Sequence, residues 1–192
     1  GLNLLYGWSS GLVNGWTQRF SVGTSFDEHR FASVAPIDGV GTTVLPDDRT
    51  LVYPWIGYEL VQDRFIVEHN RDQIGRAEDV LLGWHAYARL GLATEAFGSD
   101  RRAWVYSGAL SYGGRPDEAN AWLVSAEASG RRERGEFAAM LAHVEARYDF
   151  RWNEHTTTHA RLDAQIGQSL DLDQLVSLGG DNGLRGYPYR YA

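Results

Sequence analysis

The stretch FAAMLAHVEARYDFR, residues 137–151, alternates between two kinds of side chain with a period of two. Its even-numbered positions are apolar: Ala138, Met140, Ala142, Val144, Ala146, Tyr148 and Phe150. Its odd-numbered positions from 143 onward are polar or charged: His143, Glu145, Arg147, Asp149 and Arg151. Successive side chains of a β-strand point to opposite faces of the sheet, so this stretch predicts a strand with one apolar face and one charged face.

The same alternation recurs along the whole chain. It is clearest in WTQRFSVGTSF (16–26), VLLGWHAYARLGLA (80–93), NAWLVSAEASGR (120–131) and HTTTHARLDAQIGQS (155–169). With four further stretches that begin at residues 2, 51, 64 and 102, the pattern predicts about nine strands. Most connections are short, polar and rich in turn formers, without room for a crossover helix. We therefore predict an all-β, antiparallel, up-and-down architecture in a single domain spanning residues 1–192.

The length of these strands and the charge on one face favour a transmembrane β-barrel. Many stretches reach ten residues or more, and about 9–11 tilted residues cross a bilayer. A water-filled interior suits the charged face, and lipid suits the apolar face. The candidate lumen-lining charges are Arg89, Glu127, His143, Glu145, Arg147, Arg161 and Asp163. Alternation alone also fits a soluble antiparallel sandwich, although an apolar face rich in Ala and Thr would fill a dry core poorly.

Composition narrows the class of protein further. The chain has no Cys, which excludes disulfides and thiolate metal sites, and its net charge of −7 argues against a nucleic-acid partner. All 18 basic residues are Arg. The mean hydropathy is −0.37. The sequence contains no run of about 20 apolar residues, the length that a membrane-spanning helix needs, so a helical membrane protein is excluded. The seven Trp and ten Tyr residues suit the interface between lipid and water.

The final stretch, SLGGDNGLRGYPYRYA (177–192), contains Leu184-Arg185-Gly186-Tyr187 behind a Gly-Gly pair. This motif resembles that of the bacterial surface antigen superfamily of outer-membrane barrels, which includes the BamA and TamA assembly factors and the two-partner secretion transporters. The resemblance implies a barrel of about sixteen strands, of which this chain covers about half. It also implies that residues 177–192 fold back into the lumen, where Arg185 reaches a carboxylate on the inner wall.

The function implied by this resemblance is insertion or translocation of polypeptides across the bacterial outer membrane, without covalent chemistry. The expected partners are outer-membrane lipid, an unfolded polypeptide client or passenger, and periplasmic N-terminal domains of the same chain. Two alternatives remain open. The barrel could anchor or translocate an enzyme such as a patatin-like lipase carried on the same chain, or it could be a porin-like channel.

Motifs for catalysis or cofactor binding are absent from the sequence. It contains no nucleophile elbow, phosphate loop or zinc-protease signature, and GVGTTV (39–44) lacks the third glycine of a dinucleotide fingerprint. His143, His155 and His159 lack a carboxylate or Cys at ligand-like spacing, so hydrogen bonding in the lumen is the favoured role. We therefore expect no enzyme activity, cofactor or metal. RRERG (131–135) is interpreted as a solvated turn, which could touch lipid phosphates if it is extracellular.

The count of about nine strands creates a conflict over orientation. If residues 177–192 are extracellular, counting back places the long connection around 36–50 on the periplasmic side. Barrels normally have their long loops outside. Either the topology is unusual, or a strand near HNRDQIGRAED (69–79) has been miscounted.

Overall fold

The computed structural model describes residues 1–32, 45–69, 77–153 and 156–174, with the backbone alone at 68–69 and 77–81. The described chain is almost entirely β-structure, with one short 3₁₀ turn at Glu95–Phe97. The strands are β1 Leu2–Val13, β2 Trp16–His29, β3 Arg49–Gln62, β4 Phe65–His69, β5 Ala77–Leu81, β6 Gly83–Ala93, β7 Ala103–Gly114, β8 Asn120–Glu133, β9 Glu136–Asn153 and β10 Thr156–Gln168. No helix in these residues is long and apolar enough to span a bilayer.

Eight of the strands form one antiparallel sheet in the order β1-β2-β3-β6-β7-β8-β9-β10. Every neighbouring pair is antiparallel, which confirms the all-β, antiparallel class expected from the alternation. The sheet is open within the described residues, because β1 pairs only with β2 and β10 pairs only with β9. Closure into a barrel is thus not part of the observed fold.

The prediction of about nine strands was wrong near residues 64–93. The stretch 80–93 is two strands, because the chain leaves β5 at Leu81 and begins β6 at Gly83, whose φ is +92°. The extra strand, β5, pairs with β4 in a separate two-stranded sheet. β3 therefore pairs directly with β6, and the β4–β5 hairpin is an insertion between them.

This change in count removes the conflict over orientation. Each strand of the main sheet reverses direction, so the long connection 30–48 and the segment that follows β10 leave the sheet at the same end. We call this the Arg134 end, after the β8–β9 turn that it contains. The opposite end, which carries the β1–β2 turn and the β4–β5 hairpin, is called the Asn14 end. Of the two explanations, the miscounted strand near HNRDQIGRAED (69–79) is therefore the correct one, since β5 begins at Ala77.

Two tight hairpin turns fix the register at the two ends. At the Asn14 end, Asn14 and Gly15 have φ values of +50° and +79°. At the Arg134 end, Arg134 and Gly135 have φ values of +50° and +93°. Two central residues with positive φ are typical of type I′ turns, whose twist matches that of paired strands.

The two faces of the main sheet differ sharply in chemistry. Charged side chains and their ion pairs occupy the odd-numbered face, including Arg19, Arg49, Glu59 and Arg131. Large apolar side chains occupy the even-numbered face, and many remain exposed to the surroundings. These are Leu4, Tyr6, Trp8, Phe20, Val22, Ile56, Tyr58, Trp84, Leu90, Trp104, Leu110, Val124, Val144, Tyr148, Leu162 and Ile166. Within the described residues, nothing covers this apolar face.

A row of aromatic rings crosses the even-numbered face near the Asn14 end. Ring centroids are 5.6 Å apart for Trp8 and Phe20 and 5.0 Å for Phe20 and Tyr58. The row continues through Trp84, Tyr112, Trp122 and Tyr148, with centroid separations of 4.7 Å and 5.0 Å between its first three rings. A second, sparser set at the Arg134 end contains Phe26, Trp104 and Phe137. Phe137 lies on this face despite its odd number, because the pairing of β8 with β9 shifts by one residue before Arg131.

The aromatic row runs obliquely to the strands. Successive pairings place Trp8 of β1 in register with Ala142 of β9, yet the β9 member of the row is Tyr148. The row thus shifts by roughly six residues along the strands over six strand steps. With about 3.3 Å per residue and 4.8 Å per strand, the row makes an angle of about 35° with the perpendicular to the strands. If the row lies parallel to a membrane plane, the strands are tilted by the same angle from the membrane normal.

The most buried cluster lies on the odd-numbered face at the Arg134 end and contains Leu51, Tyr53, Trp55, Ala93 and Ala103. Two of its aromatic rings lie against glycines of the neighbouring strands. A Cβ atom on Gly23 would lie 2.5 Å from Cζ2 of Trp55, and one on Gly91 would lie 2.5 Å from Cδ2 of Tyr53. The rings can lie flat on the sheet only because these positions have no side chain.

We predict that Gly23→Ala destabilises the protein by about 1–3 kcal/mol, the typical cost of overpacking. The new methyl group would also lie 2.4 Å from the carbonyl oxygen of Leu4, which the β1–β2 ladder holds in place. Denaturant titration of the full chain measures the change. Gly7→Ala is the matched control, since its nearest neighbour would be the Phe20 carbonyl at 3.5 Å. Equal effects of the two substitutions would contradict this account of Trp55.

Candidate functional site: the charged face and the segment folded onto it

The structure places all seven predicted lumen-lining charges on the odd-numbered face of the main sheet. They lie on four strands, β6, β8, β9 and β10: Arg89, Glu127, His143, Glu145, Arg147, Arg161 and Asp163. The alternation in sequence therefore grouped these residues correctly on one surface, and their contacts describe how that surface is built. Whether this surface lines a lumen stays a prediction.

Five of these residues form a continuous network across three strands. His143 on β9 lies between two carboxylates, with Nδ1 3.3 Å from Glu127 on β8 and Nε2 2.9 Å from Asp163 on β10. Arg161 continues the network, since its guanidinium lies 2.5 Å from Asp163 and 3.3 Å from Glu145. Alternating charges on adjacent strands stabilise the pairing of those strands.

The same pattern occurs toward the Asn14 end. Asp149 accepts hydrogen bonds from Arg147 at 3.0 Å and from His159 at 2.7 Å. On the same face but nearer to the β1 edge of the sheet, Glu59 of β3 lies 2.9 Å from Arg19 and 3.0 Å from His85. His159 therefore has a hydrogen-bonding role, as its position in the sequence suggested.

Arg89 differs from the other predicted charges because its main contacts are aromatic. The guanidinium carbon lies 3.8 Å from the ring centroid of Trp55 and 5.8 Å from that of Tyr53. Its Nη2 donates a hydrogen bond to Ser25 at 2.5 Å. Trp55 in turn donates from Nε1 to Asn3 at 3.2 Å. Stacking of this kind stabilises the Arg89 cation, which pairs with no carboxylate among the residues that the structure describes.

The closest packing of charge lies at the Arg134 end, where a segment after β10 folds back over the odd-numbered face. Arg49 donates to both carboxylate oxygens of Asp173, at 2.9 and 2.8 Å. Arg131 donates to both oxygens of Asp171, at 2.8 and 3.0 Å. Arg49 also lies 3.0 Å from Asp171. We call these four residues the clasp; its two arginines are only 6% and 7% exposed.

The clasp connects parts of the sheet that are far apart. Arg49 belongs to β3 and Arg131 to β8, three strand steps away, or about 14 Å along the sheet. Both bind carboxylates that follow β10, so the segment must run back across the odd-numbered face. A bulge in β9 helps to hold the start of this segment against the sheet, because the amide of Ala139, with φ of +49°, donates to the carbonyl of Ser169 at 2.7 Å. Arg49 and Arg131 therefore contact the same carboxylate, that of Asp171, from strands three steps apart.

Electrostatics favours the ionised form of both clasp carboxylates. Burial on its own would raise the pKa of Asp171, but the hydrogen bonds from Arg131 and the charges of Arg131 and Arg49 outweigh it and hold that pKa below 3.8. The hydrogen bond from Arg49 likewise holds the pKa of Asp173 below 3.8. The clasp is therefore fully charged at neutral pH.

The clasp corrects the interpretation of RRERG (131–135) as a solvated turn. Arg131 is buried and bound to Asp171 and, through Nε, to Glu133 at 2.8 Å. Only Arg132, Arg134 and Gly135 fit the predicted exposure. The alternation contained a signal for this result, because Arg131 has the odd parity of the charged face. Its acidic partners in the stretch DLD (171–173) were not singled out, because they follow the last strand.

The Leu184-Arg185-Gly186-Tyr187 motif and His155 lie outside the described residues. The assignment of 177–192 to a lumen-folded loop therefore stays a prediction. Among the residues that the structure describes, no group of three or more His, Cys, Asp and Glu side chains could hold a metal ion.

Comparisons of the chain with protein-family models, curated proteins and solved structures gave no match.

We predict that the clasp opens in acid but not at neutral pH. Because the pKa values of both carboxylates are lowered, its stabilising effect is complete above pH 3.8 and is lost as the pH falls through the lowered values. Hydrogen exchange at the Ala139 amide, expressed as a protection factor, measures the opening through the bond to Ser169.

Asp171→Asn should open the clasp without acid. Loss of hydrogen bonds to a charged group costs about 1.5–3 kcal/mol, so protection at Ala139 should fall by about tenfold or more at neutral pH. Asp117→Asn is the matched control, because Asp117 has a lowered pKa through Asn120 but lies beyond the opposite end of the sheet. Unchanged protection in Asp171→Asn would show that the charges do not hold the segment.

Proposed function

We propose that this chain forms part of the wall of a bacterial outer-membrane β-barrel that inserts or translocates polypeptides. In this proposal, the even-numbered face contacts lipid and the odd-numbered face lines a water-filled interior. The single observation that carries it is the division of one eight-stranded sheet into an exposed apolar face and a face crowded with paired charges. A lipid-facing surface and an aqueous lumen require that division.

The distribution of charge on the even-numbered positions supports contact with lipid. In the described strands of the main sheet, charges at even positions are limited to Glu28 and Arg132 on the apolar face and Glu136, which a register shift between β8 and β9 places opposite Glu133 on the charged face. All three lie within two residues of a strand end, at the Arg134 end of the sheet. An unpaired charge in the hydrocarbon region is costly, whereas the interface with water tolerates one.

The aromatic rings support the same arrangement through their spacing. On β7, Trp104 and Tyr112 lie eight residues apart on the even-numbered face. This separation is about 27 Å along the strand, or about 22 Å after the tilt of about 35° is taken into account. Outer-membrane barrels have strands tilted by about 35–45° and an apolar band about 25 Å tall between two aromatic girdles. Two of the tyrosine hydroxyls donate hydrogen bonds, that of Tyr58 to Gln18 at 3.1 Å and that of Tyr148 to Asn120.

A soluble sandwich accounts less well for these features. It would require a second layer over the even-numbered face, and the only other sheet in the described residues is the two-stranded β4–β5 hairpin. Without such a layer, Leu4, Ile56 and Leu162 stay 64–69% exposed. An apolar surface of this extent in water is an aggregation liability.

Transport of polypeptides, as opposed to passive diffusion, is supported by the motif and by the clasp. Residues 177–192 resemble the lumen loop of the surface antigen superfamily. The segment directly before them lies on the charged face, where Arg49 and Arg131 bind it. A porin-like channel is the second candidate, because paired charges of both signs would suit any aqueous pore. Anchoring of a patatin-like enzyme would use the same wall.

We predict that Val144→Arg impairs folding into bilayers. Val144 lies midway along the even-numbered face of β9, where an arginine costs about 2–4 kcal/mol at the bilayer midplane. Gln165→Arg is the matched control, since it lies opposite His143 on the odd-numbered face of β10. The folded fraction of the full chain in lipid vesicles is measured from its altered electrophoretic mobility. Equal folding of both variants would end the membrane interpretation.

We also predict that Arg185→Ala and, nearly as strongly, Arg185→Lys impair transport while leaving the strands assembled. The expected cause is loss of the two parallel hydrogen bonds that a guanidinium, unlike an ammonium, makes to one carboxylate. The measurements are polypeptide transport and labelling of single cysteines in residues 181–190. Transport at the wild-type level with an equally accessible segment would favour the porin-like channel.

A further inference from the structure

At the Arg134 end, an arginine lies on the apolar face between two exposed aromatic residues. Arg132 of β8 lies directly opposite Trp104 of β7 and Phe137 of β9 in the strand register. Its guanidinium carbon lies 5.8 Å from the ring centroid of Phe137. All three side chains are exposed. Arg132 is therefore a cation at the rim of an apolar surface, and it points away from the charged face.

The Arg132 guanidinium is oriented but only partly used. Its Nε donates to the carbonyl of Gly135 at 3.1 Å, across the tight turn that contains Arg134. No carboxylate in the described part of the chain binds its two terminal nitrogens. Because this hydrogen bond uses Nε alone, the N–H donors of the two terminal nitrogens remain available for a bidentate acceptor.

Two further arginines surround this position. Arg134 lies in the turn that follows, and Arg102 lies two residues before Trp104. Both side chains are exposed, and neither forms an ion pair with any described residue. The nearest acid in the turn, Glu136, pairs in register with Glu133, whose carboxylate binds Arg131 on the charged face. The local excess of positive charge contrasts with the net charge of −7 of the chain.

We propose that Arg102, Arg132 and Arg134, with Trp104 and Phe137, bind the phosphate of an anionic membrane lipid. This inference rests on the proposed membrane function. The headgroup phosphate would accept hydrogen bonds from Arg132, and the acyl chains would lie along the apolar face beside Trp104.

Charge complementarity and position together identify the ligand as a lipid. A phosphate accepts the two parallel hydrogen bonds that an arginine fork provides. Trp104 continues directly into the apolar face through Tyr106 and Leu110 on the same strand. A nucleic acid or a soluble anion has no acyl chain that could contact that apolar surface. The indole and the guanidinium therefore fit the two parts of one amphipathic molecule.

The test uses the full chain in phosphatidylcholine bilayers that contain a small fraction of brominated lipid, which quenches nearby tryptophans. The quenching of Trp104 is obtained as the difference between the protein and its Trp104→Phe variant. Brominated phosphatidylglycerol should quench Trp104 more than the same fraction of brominated phosphatidylcholine. A gain of about 1 kcal/mol per arginine corresponds to about fivefold local enrichment of the anionic lipid.

Arg132→Gln should lower this enrichment by about fivefold relative to the wild-type protein. The double variant Arg102→Gln/Arg134→Gln, which removes two arginines, should lower it more than Arg132→Gln does. Arg115→Gln is the matched control, because Arg115 lies at the opposite end of β7 and donates to the carbonyls of Asp117 and Glu118. It should leave the enrichment unchanged. Equal quenching by the two brominated lipids would overturn the phosphate site while the membrane proposal stands. No quenching by either lipid would overturn the membrane proposal itself.

Discussion

A single layer of backbone carries an apolar face and a charged face in this protein, and the alternation of side chains along each strand keeps the two faces distinct. A shift of one residue in any pairing would move the arginines and carboxylates of a strand onto the apolar face. The I′ turns at 14–15 and 134–135 and the cross-strand charge pairs all act against such a shift. Register is therefore the property on which the rest of the structure depends.

The class of the fold, and which residues lie on each face of the sheet, could be predicted from the sequence because both follow from a period of two. Each predicted lumen charge has the parity of the charged face, and that parity needs no knowledge of tertiary contacts. The break at Leu82 was invisible to the same method, since Gly83 interrupts the strand without interrupting the alternation. A turn residue inside a periodic stretch is ambiguous until the pairing of its neighbours is known.

The clasp could not be predicted for a different reason. Arg49, Arg131, Asp171 and Asp173 come from three distant parts of the chain, and two of them lie beyond β10. Their meeting depends on the path of the chain after β10 and on the bulge at Ala139, neither of which has a periodic signature. The buried arginines show that parity can indicate the face of a residue but not the identity of its partner.

The sequence separation within the clasp has a consequence for the order of folding. Six of the seven pairings in the main sheet join strands that are consecutive in the chain, so most of the sheet can form by local hairpin closure. The bond from Arg49 to Asp173 instead spans 124 residues. The entropic cost of closing so long a loop falls only after the intervening strands have aligned. The clasp is therefore expected to form last, and its closure would mark the point at which the main sheet has been assembled.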